Sequence, residues 1–209
     1  MKKLLALLLF ITSLLAVSTD NILALSWENA YCELHPKAKE CKIRDPYTYT
    51  HFSLHGLWPK KRNYCHVHYK FKLSPLLERV LIKYMPAAKF GLAKHEWLKH
   101  GTCFGTDPNT YFLTAIKLTQ QFNESNFVKF FQTHMGEYVS LARLRFVFGG
   151  SFGNKNRRKF QLLCIKGHIA EIRVNLKGNP IKEDLKTLID KAREMIGVRQ
   201  CQGGIITPP

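Results

Sequence analysis

Acidic residues are scarce. Fifteen aspartates and glutamates stand against 32 lysines and arginines in 209 residues, a formal charge of +17 with neutral histidines. Such an imbalance disfavours a partner of like charge and points to a polyanion, either nucleic acid or anionic lipid. No two of the six cysteines are spaced as C-x₂₋₄-C, so the usual paired-cysteine zinc site is missing. There is no internal repeat, low-complexity tract or linker to divide the chain. Beyond the first residues, no segment approaches the roughly 18 consecutive apolar residues that a membrane helix needs.

The N-terminus is the exception. MKKLLALLLFITSLLAVS sets Lys2 and Lys3 before an apolar run from Leu4 to Val17 and ends on small residues. This is the pattern of a secretory signal, too short to span a bilayer comfortably. Cleavage after Ser18 or after Ser26 fits a small-x-small rule, and Ser18 directly follows the apolar run. The expectation is a signal over residues 1–18, with no membrane insertion once it is removed, and one domain over 19–209. The signal takes two basic residues and no acid, which leaves 30 against 15, a net +15. All six cysteines, Cys32, Cys41, Cys65, Cys103, Cys164 and Cys201, lie in the exported part. An even count in an oxidising compartment reads as three disulfides, with the pairing left open by sequence alone.

Asn21 to Trp27 reads as a buried strand, and the alternation from Tyr47 to Trp58 as another. Ser74-Pro75 opens a helix with Leu76, Leu77, Val80, Leu81 and Tyr84 on its stripe. Leu92 to His100 is helical, with Gly101 as a C-terminal glycine. Asp107-Pro108 starts a helix with Phe112, Ala115, Ile116, Thr119 and Phe122 on one face, and Phe127, Phe130, Phe131 and His134 continue the spacing. Leu144 to Phe148, Phe160 to Ile165 and Ile169 to Leu176 read as strands, with a glycine-rich basic loop, GGSFGNKNRRK, between the first two. A last helix carries Leu185, Leu188, Ile189, Ala192 and Met195. Strands and helices segregate, which predicts an α+β domain: a central, largely antiparallel sheet flanked by helices and tied by disulfides. Asn123-Glu-Ser fits a glycosylation sequon, and Lys155, Arg157, Arg158 and Lys159 could track phosphates or form a solvated loop.

Two segments carry chemistry. HEWLKHGTC (His95 to Cys103) crowds two histidines, a glutamate and a lysine into six residues. Zinc peptidases use H-E-x-x-H, with the histidines four apart on one face. Here His95 and His100 are five apart, about 140° around a helix, which argues against one shared ion. Glu96 and His100 are i,i+4 neighbours, as are His95 and Lys99. One helix thus offers a base, an acid to orient it and an anion clamp. The second segment, FSLHGLWP, sets His55 at a strand end beside Gly56 and the aromatic platform Trp58, as a site that protonates one atom while stacking a base requires.

HGLWP and HEWLKHGTC, in this order, resemble the two active-site segments of the ribonuclease T2 family of acid endoribonucleases. LALSWENAYC is also similar to that family's first strand, which supports cleavage near Ser18. The likeness runs from about Leu23 to Cys103 and weakens afterwards. It implies cleavage of single-stranded RNA without metal or cofactor, by transphosphorylation to a 2′,3′-cyclic phosphate and then hydrolysis to the 3′-phosphate, with low base specificity. By motif position His100 would be the general base and His55 the general acid. Lys99 and Glu96 would stabilise the pentacovalent phosphate, His95 would bind phosphate and Trp58 would stack a base. The family also implies Cys32–Cys41, Cys65–Cys103 and Cys164–Cys201 pairs, and a secreted or periplasmic monomer. Lys60, where many relatives have an acidic or polar residue, and Asn175, where a cysteine is frequent, depart from the pattern and put base preference in doubt. The competing expectation is a cationic exported nucleic-acid-binding protein with a vestigial site.

Overall fold

The computed structural model describes residues 16–60 and 62–209; most of the expected signal lies outside them. Among the described residues the strands β1 (Asp20–Ser26), β2 (Ser53–Pro59), β3 (Tyr138–Ser140), β4 (Phe160–Ile165), β5 (His168–Lys177) and β6 (Gly203–Ile205) form one sheet. Its order is β2-β1-β5-β6-β3, with β4 also on β5. Every ladder is antiparallel except the single parallel bridge between His168 of β5 and Ile205 of β6. The chain therefore adopts the expected α+β class.

The helices are α1 (Glu28–Leu34), α2 (Lys39–Ile43), α3 (Pro75–Tyr84), α4 (Leu92–Lys99), α5 (Pro108–Asn123), α6 (Asn126–Thr133), α7 (Leu141–Phe152) and α8 (Leu185–Lys191). Local chemistry sets several starts. The Ser74 side chain accepts from the Leu77 N–H, and Asp107 accepts from Asn109 and Thr110; in both cases proline fills the first helical position. The expected face of α5 is buried throughout. On α3 only Leu77, Leu81 and Tyr84 turn inward, while Leu76 is 66% exposed.

Three expectations change. Leu144 to Phe148 is not a strand but the middle of α7, whose Leu141, Leu144, Phe148 and Phe152 are buried at helical spacing behind a Ser140 cap. Helical period outweighed β-branched and aromatic composition there. The strand expected from Tyr47 begins only at Ser53, because Asp45 caps a 3₁₀ turn over Pro46–Tyr49. Met195 lies beyond α8, which stops at Lys191.

An aromatic cluster fills the core. Phe52 packs against Trp27, Phe122 and Phe131 at centroid distances of 5.0, 5.5 and 4.9 Å, and the Trp27 indole N–H donates to the Thr207 carbonyl at 2.8 Å. Disulfides join Cys32 to Cys41, Cys65 to Cys103 and Cys164 to Cys201. Asn123 is 3% exposed, and its amide closes a two-way clamp on the Phe52 backbone, donating at 2.9 Å and accepting at 3.0 Å. The sequon nitrogen is therefore committed to the core and closed to a glycan in the folded chain. Lys159 is buried, and its ammonium donates to the Ile189 and Asp190 carbonyls at the end of α8. It caps a helix and does not track phosphates.

Candidate active site

Strand β2 delivers His55 and Trp58 to one face by an irregularity. Ala24 pairs with Gly56 and Leu25 with Leu54, which leaves His55 as the extra residue of a β-bulge. Strict alternation would put positions 55 and 58 on opposite faces; the bulge resets the phase. His55 and Trp58 are thus partly exposed together, while Leu54 and Leu57 are buried. Gly56 lies beneath them. A β-carbon there would fall 2.1 Å from Glu96 Oε2 and 2.4 Å from Trp58 Nε1, so only glycine lets α4 approach.

Gly91 precedes helix α4, and its φ of +100° suits glycine. Trp97 anchors it in the core, edge-on to Tyr111 at 5.8 Å, and Tyr111 in turn donates its hydroxyl to the Leu57 carbonyl at 2.9 Å. The two motif segments are thereby held through one buried tyrosine. Gly101 is not a left-handed cap. His100 ends the helix with φ of −117°, and Gly101 opens a 3₁₀ turn. Its absent side chain is needed for packing, since a β-carbon would meet the Trp97 ring at 2.3 Å. The Cys65–Cys103 bond joins this turn to the loop after β2, and the Tyr64 N–H donates to the Lys99 carbonyl at 2.8 Å.

Among the expected residues, His55, Trp58, Glu96 and His100 come together. The Trp58 indole N–H donates to Glu96 Oε2 at 2.7 Å, and the other carboxylate oxygen lies 3.8 Å from His55 Nε2. The Trp58 ring stacks with His100 at 5.2 Å and meets His55 edge-on at 5.1 Å. Glu96 therefore serves His55 and Trp58, not its i,i+4 neighbour His100. His95 is exposed and Lys99 half-buried on the same helix.

Sequence reasoning missed two residues. Glu171 on β5 approaches His55 Nδ1 with its Oε2 at 2.6 Å. Arg173 bonds the other oxygen of Glu171 through Nε and sets its guanidinium 4.8 Å from the Trp58 ring centre. The signal was the tract EIRVN, in which opposite charges two apart share one face of the strand. The two departures noted above also meet: Lys60 bonds the Asn175 side chain and pairs with Asp20 at 3.0 Å.

Electrostatics separates the two histidines. Burial lowers the pKa of His55, but the hydrogen bond and charge of Glu171, helped by Glu96, outweigh it and raise the net value. Burial likewise opposes ionisation of Glu171, and there His55 and Arg173 win, holding it below the ordinary carboxylate range. Burial, then Lys99, His95 and His55, push His100 down to about 4. Burial raises Glu96 despite its neighbours. The two shifts have opposite sign, one histidine moved toward holding its proton and the other toward losing it, as a general acid and base require.

Residues 20–188 match the model of the ribonuclease T2 family. The chain belongs to that family. Its family match reaches from β1 into α8, well past Cys103, where the sequence likeness faded. The chain is 27% identical over 206 residues to "Ribonuclease I" of Escherichia coli (strain K12), covering 78% of this chain and 77% of that one. Over 100 residues it is 34% identical to a "Ribonuclease" of Aeromonas hydrophila, covering 47% of this chain and 44% of that one. Among solved structures, the Nicotiana alata self-incompatibility-associated SF11-RNase superposes with a TM-score of 0.66 at 17% identity, over 90% of this chain and 99% of that one. The Japanese pear S3-RNase gives 0.63 at 21%, over 90% and 98%. These two show the shared fold. Family membership and the named relatives make this ribonuclease T2 member an endoribonuclease.

Proposed function

We propose that the chain cleaves single-stranded RNA by metal-independent transphosphorylation, with His100 as base and His55 as acid. The observation that carries this is one site in which Trp58 packs against both His55 and His100, with Glu171 raising the proton affinity of the first and burial and neighbouring cations lowering that of the second. RNA brings its own nucleophile. His100 takes the proton of the ribose 2′-OH, the oxygen attacks phosphorus, and His55 protonates the departing 5′-oxygen. That yields a 2′,3′-cyclic phosphate, and reversing the proton roles hydrolyses it to the 3′-phosphate. The His100 Nδ1 is buried without a protein partner among the described residues, so Nε2 is the ring nitrogen that takes the proton.

Lys99 supplies charge to the pentacovalent phosphate, and Glu96, whose burial favours the protonated carboxyl, can donate to one of its oxygens. His95, exposed on the same helix, binds phosphate. Trp58 offers the aromatic platform for a base, which must be unpaired to reach it. In this reading residues 1–18 are a cleaved signal, residues 19–209 act as a monomer outside the cytoplasm or in the periplasm, and base specificity is low.

The test is product analysis on dinucleotides and short RNA in excess EDTA. Cyclic phosphate ends and intact DNA are expected. Activity lost to EDTA and restored by zinc, or retained in both His55→Ala and His100→Ala, overturns the mechanism.

A further inference from the structure

His55, Glu171, Arg173, Trp58 and Glu96 close a ring. Nδ1 of His55 meets Glu171 Oε2 at 2.6 Å, Glu171 Oε1 takes the Arg173 Nε–H, and the Arg173 guanidinium lies 4.8 Å from the Trp58 ring centre. The Trp58 N–H reaches Glu96 Oε2 at 2.7 Å, and Glu96 Oε1 returns to His55 Nε2 at 3.8 Å. Three of the five side chains lie on β2 and α4, inside the motifs. Glu171 and Arg173 come from β5, more than a hundred residues beyond β2.

We propose that Glu171 is a positioning residue for the proton donor His55, and that Arg173 fixes Glu171 while bracing the indole of Trp58. This rests on His55 acting as the acid. With Nδ1 committed to Glu171, only Nε2 is free to turn toward the scissile phosphate, so the donor nitrogen is selected before substrate arrives. Glu171 is well shielded, with a side chain 13% exposed against 33% for His55, and Arg173 takes its second oxygen. The carboxylate therefore has one orientation, and the imidazole follows it. Register explains the placement: Glu171 faces Ser26 and Arg173 faces Ala24 across β1, and Gly56, beside the bulged His55, also pairs with Ala24. The bulge that turns His55 out turns it toward this pair.

The charged groups around His55 set the signs. Glu171 and Arg173 approach from β5 and Glu96 from α4. His100 follows α4, and Glu28 of α1 senses the His55 charge. Glu171 and Glu96 favour imidazolium; Arg173 opposes it. Glu171→Gln keeps the shape and removes the charge, so the basic limb of the kcat/KM profile should move to lower pH, with kcat down by at least about tenfold and KM less affected. Glu171→Asp should restore part of that limb. Arg173→Gln should shift the limb the other way and raise KM by loosening Trp58. Imidazole NMR of His55 reads the same shifts without turnover, and melting curves establish that each variant is folded.

Opposite movements of the limb and of the His55 titration support the assignment. Folded variants whose His55 titrates as in the parent, with an unmoved limb, overturn it. Full activity in His55→Ala would instead remove the proposed acid itself, a separate failure.

Discussion

The indole N–H of Trp58 donates to a Glu96 carboxylate that is 2% exposed, and the bond passes over Gly56 where any β-carbon would stand. Gly56→Ala should therefore displace both partners while leaving the sheet intact, because the residue lies at an existing bulge. A shift of an ångström in a catalytic group costs about a hundredfold in rate. Gly56→Ala is expected to lose at least that in kcat/KM, with a melting temperature reduced far less than the activity. A rate within a few-fold of the parent would mean that the Trp58–Glu96 contact is not part of the machinery.

The pH profile follows from the two histidines. On the proposed mechanism the competent form needs His100 without its proton and His55 with it. Rate should rise with pH through about 4, where His100 loses its proton, and fall where His55 loses its own, at a pH that Glu171 raises above that of a free imidazole. Lys99→Gln removes a charge that lowers His100, so the acid limb should move to higher pH alongside any loss of rate. Stopped-time assays on a dinucleotide across pH read both limbs. An acid limb that stays put or moves down would show that His100 is not the group titrating there.

Local signals carried the sequence reading where a residue's chemistry acts on its own neighbourhood. Ser74-Pro75 and Asp107-Pro108 placed their helices, and HGLWP and HEWLKHGTC marked the two segments that meet at the candidate site. Sequence failed where long-range packing decides. Nothing in FSLHGLWP announces that His55 is the bulged residue, yet that shift puts it beside Trp58. Glu171 is 116 positions from His55, and only sheet register joins them. Gly101 looked like a cap because glycine after a helix usually is one; the Trp97 ring is what excludes a side chain there. The basic run ending at Lys159 read as either a phosphate track or a solvated loop, and Lys159 is neither, since burial of one member cannot be read from charge alone.

Lys159 separates those two roles by experiment. Its ammonium satisfies the carbonyls of Ile189 and Asp190 at the C-terminal end of α8, where a cation also complements the helix dipole. Hydrogen bonds to a charged group contribute about 1.5–3 kcal/mol. Lys159→Met, which keeps the buried stem, should lower unfolding free energy by that order in urea titrations while leaving the salt dependence of RNA cleavage unchanged. A stable variant with a shallower salt dependence would return Lys159 to the substrate.

Other cations border the site itself. No aspartate or glutamate occurs between Asp45 and Glu78, and this stretch leaves Arg62, Lys70 and Lys72 exposed. Tyr64 and Tyr69, 61% and 49% exposed, stand among them. The loop is fixed to the end of α4 by Cys65–Cys103 and by the Tyr64 N–H to Lys99 carbonyl bond, so it borders the site. Lys60 is already taken by Asp20 and Asn175. Each phosphate neutralised on a single strand contributes about 0.7 to the slope of log K against log salt. Replacing Arg62, Lys70 and Lys72 together by alanine should flatten that slope by about 2 for a long oligonucleotide. The penalty should grow with substrate length, since a dinucleotide presents one phosphate and a longer strand can run along the loop. Binding isotherms at several salt concentrations, for substrates of increasing length, measure both. An unchanged slope at every length would place the RNA on another face of the molecule.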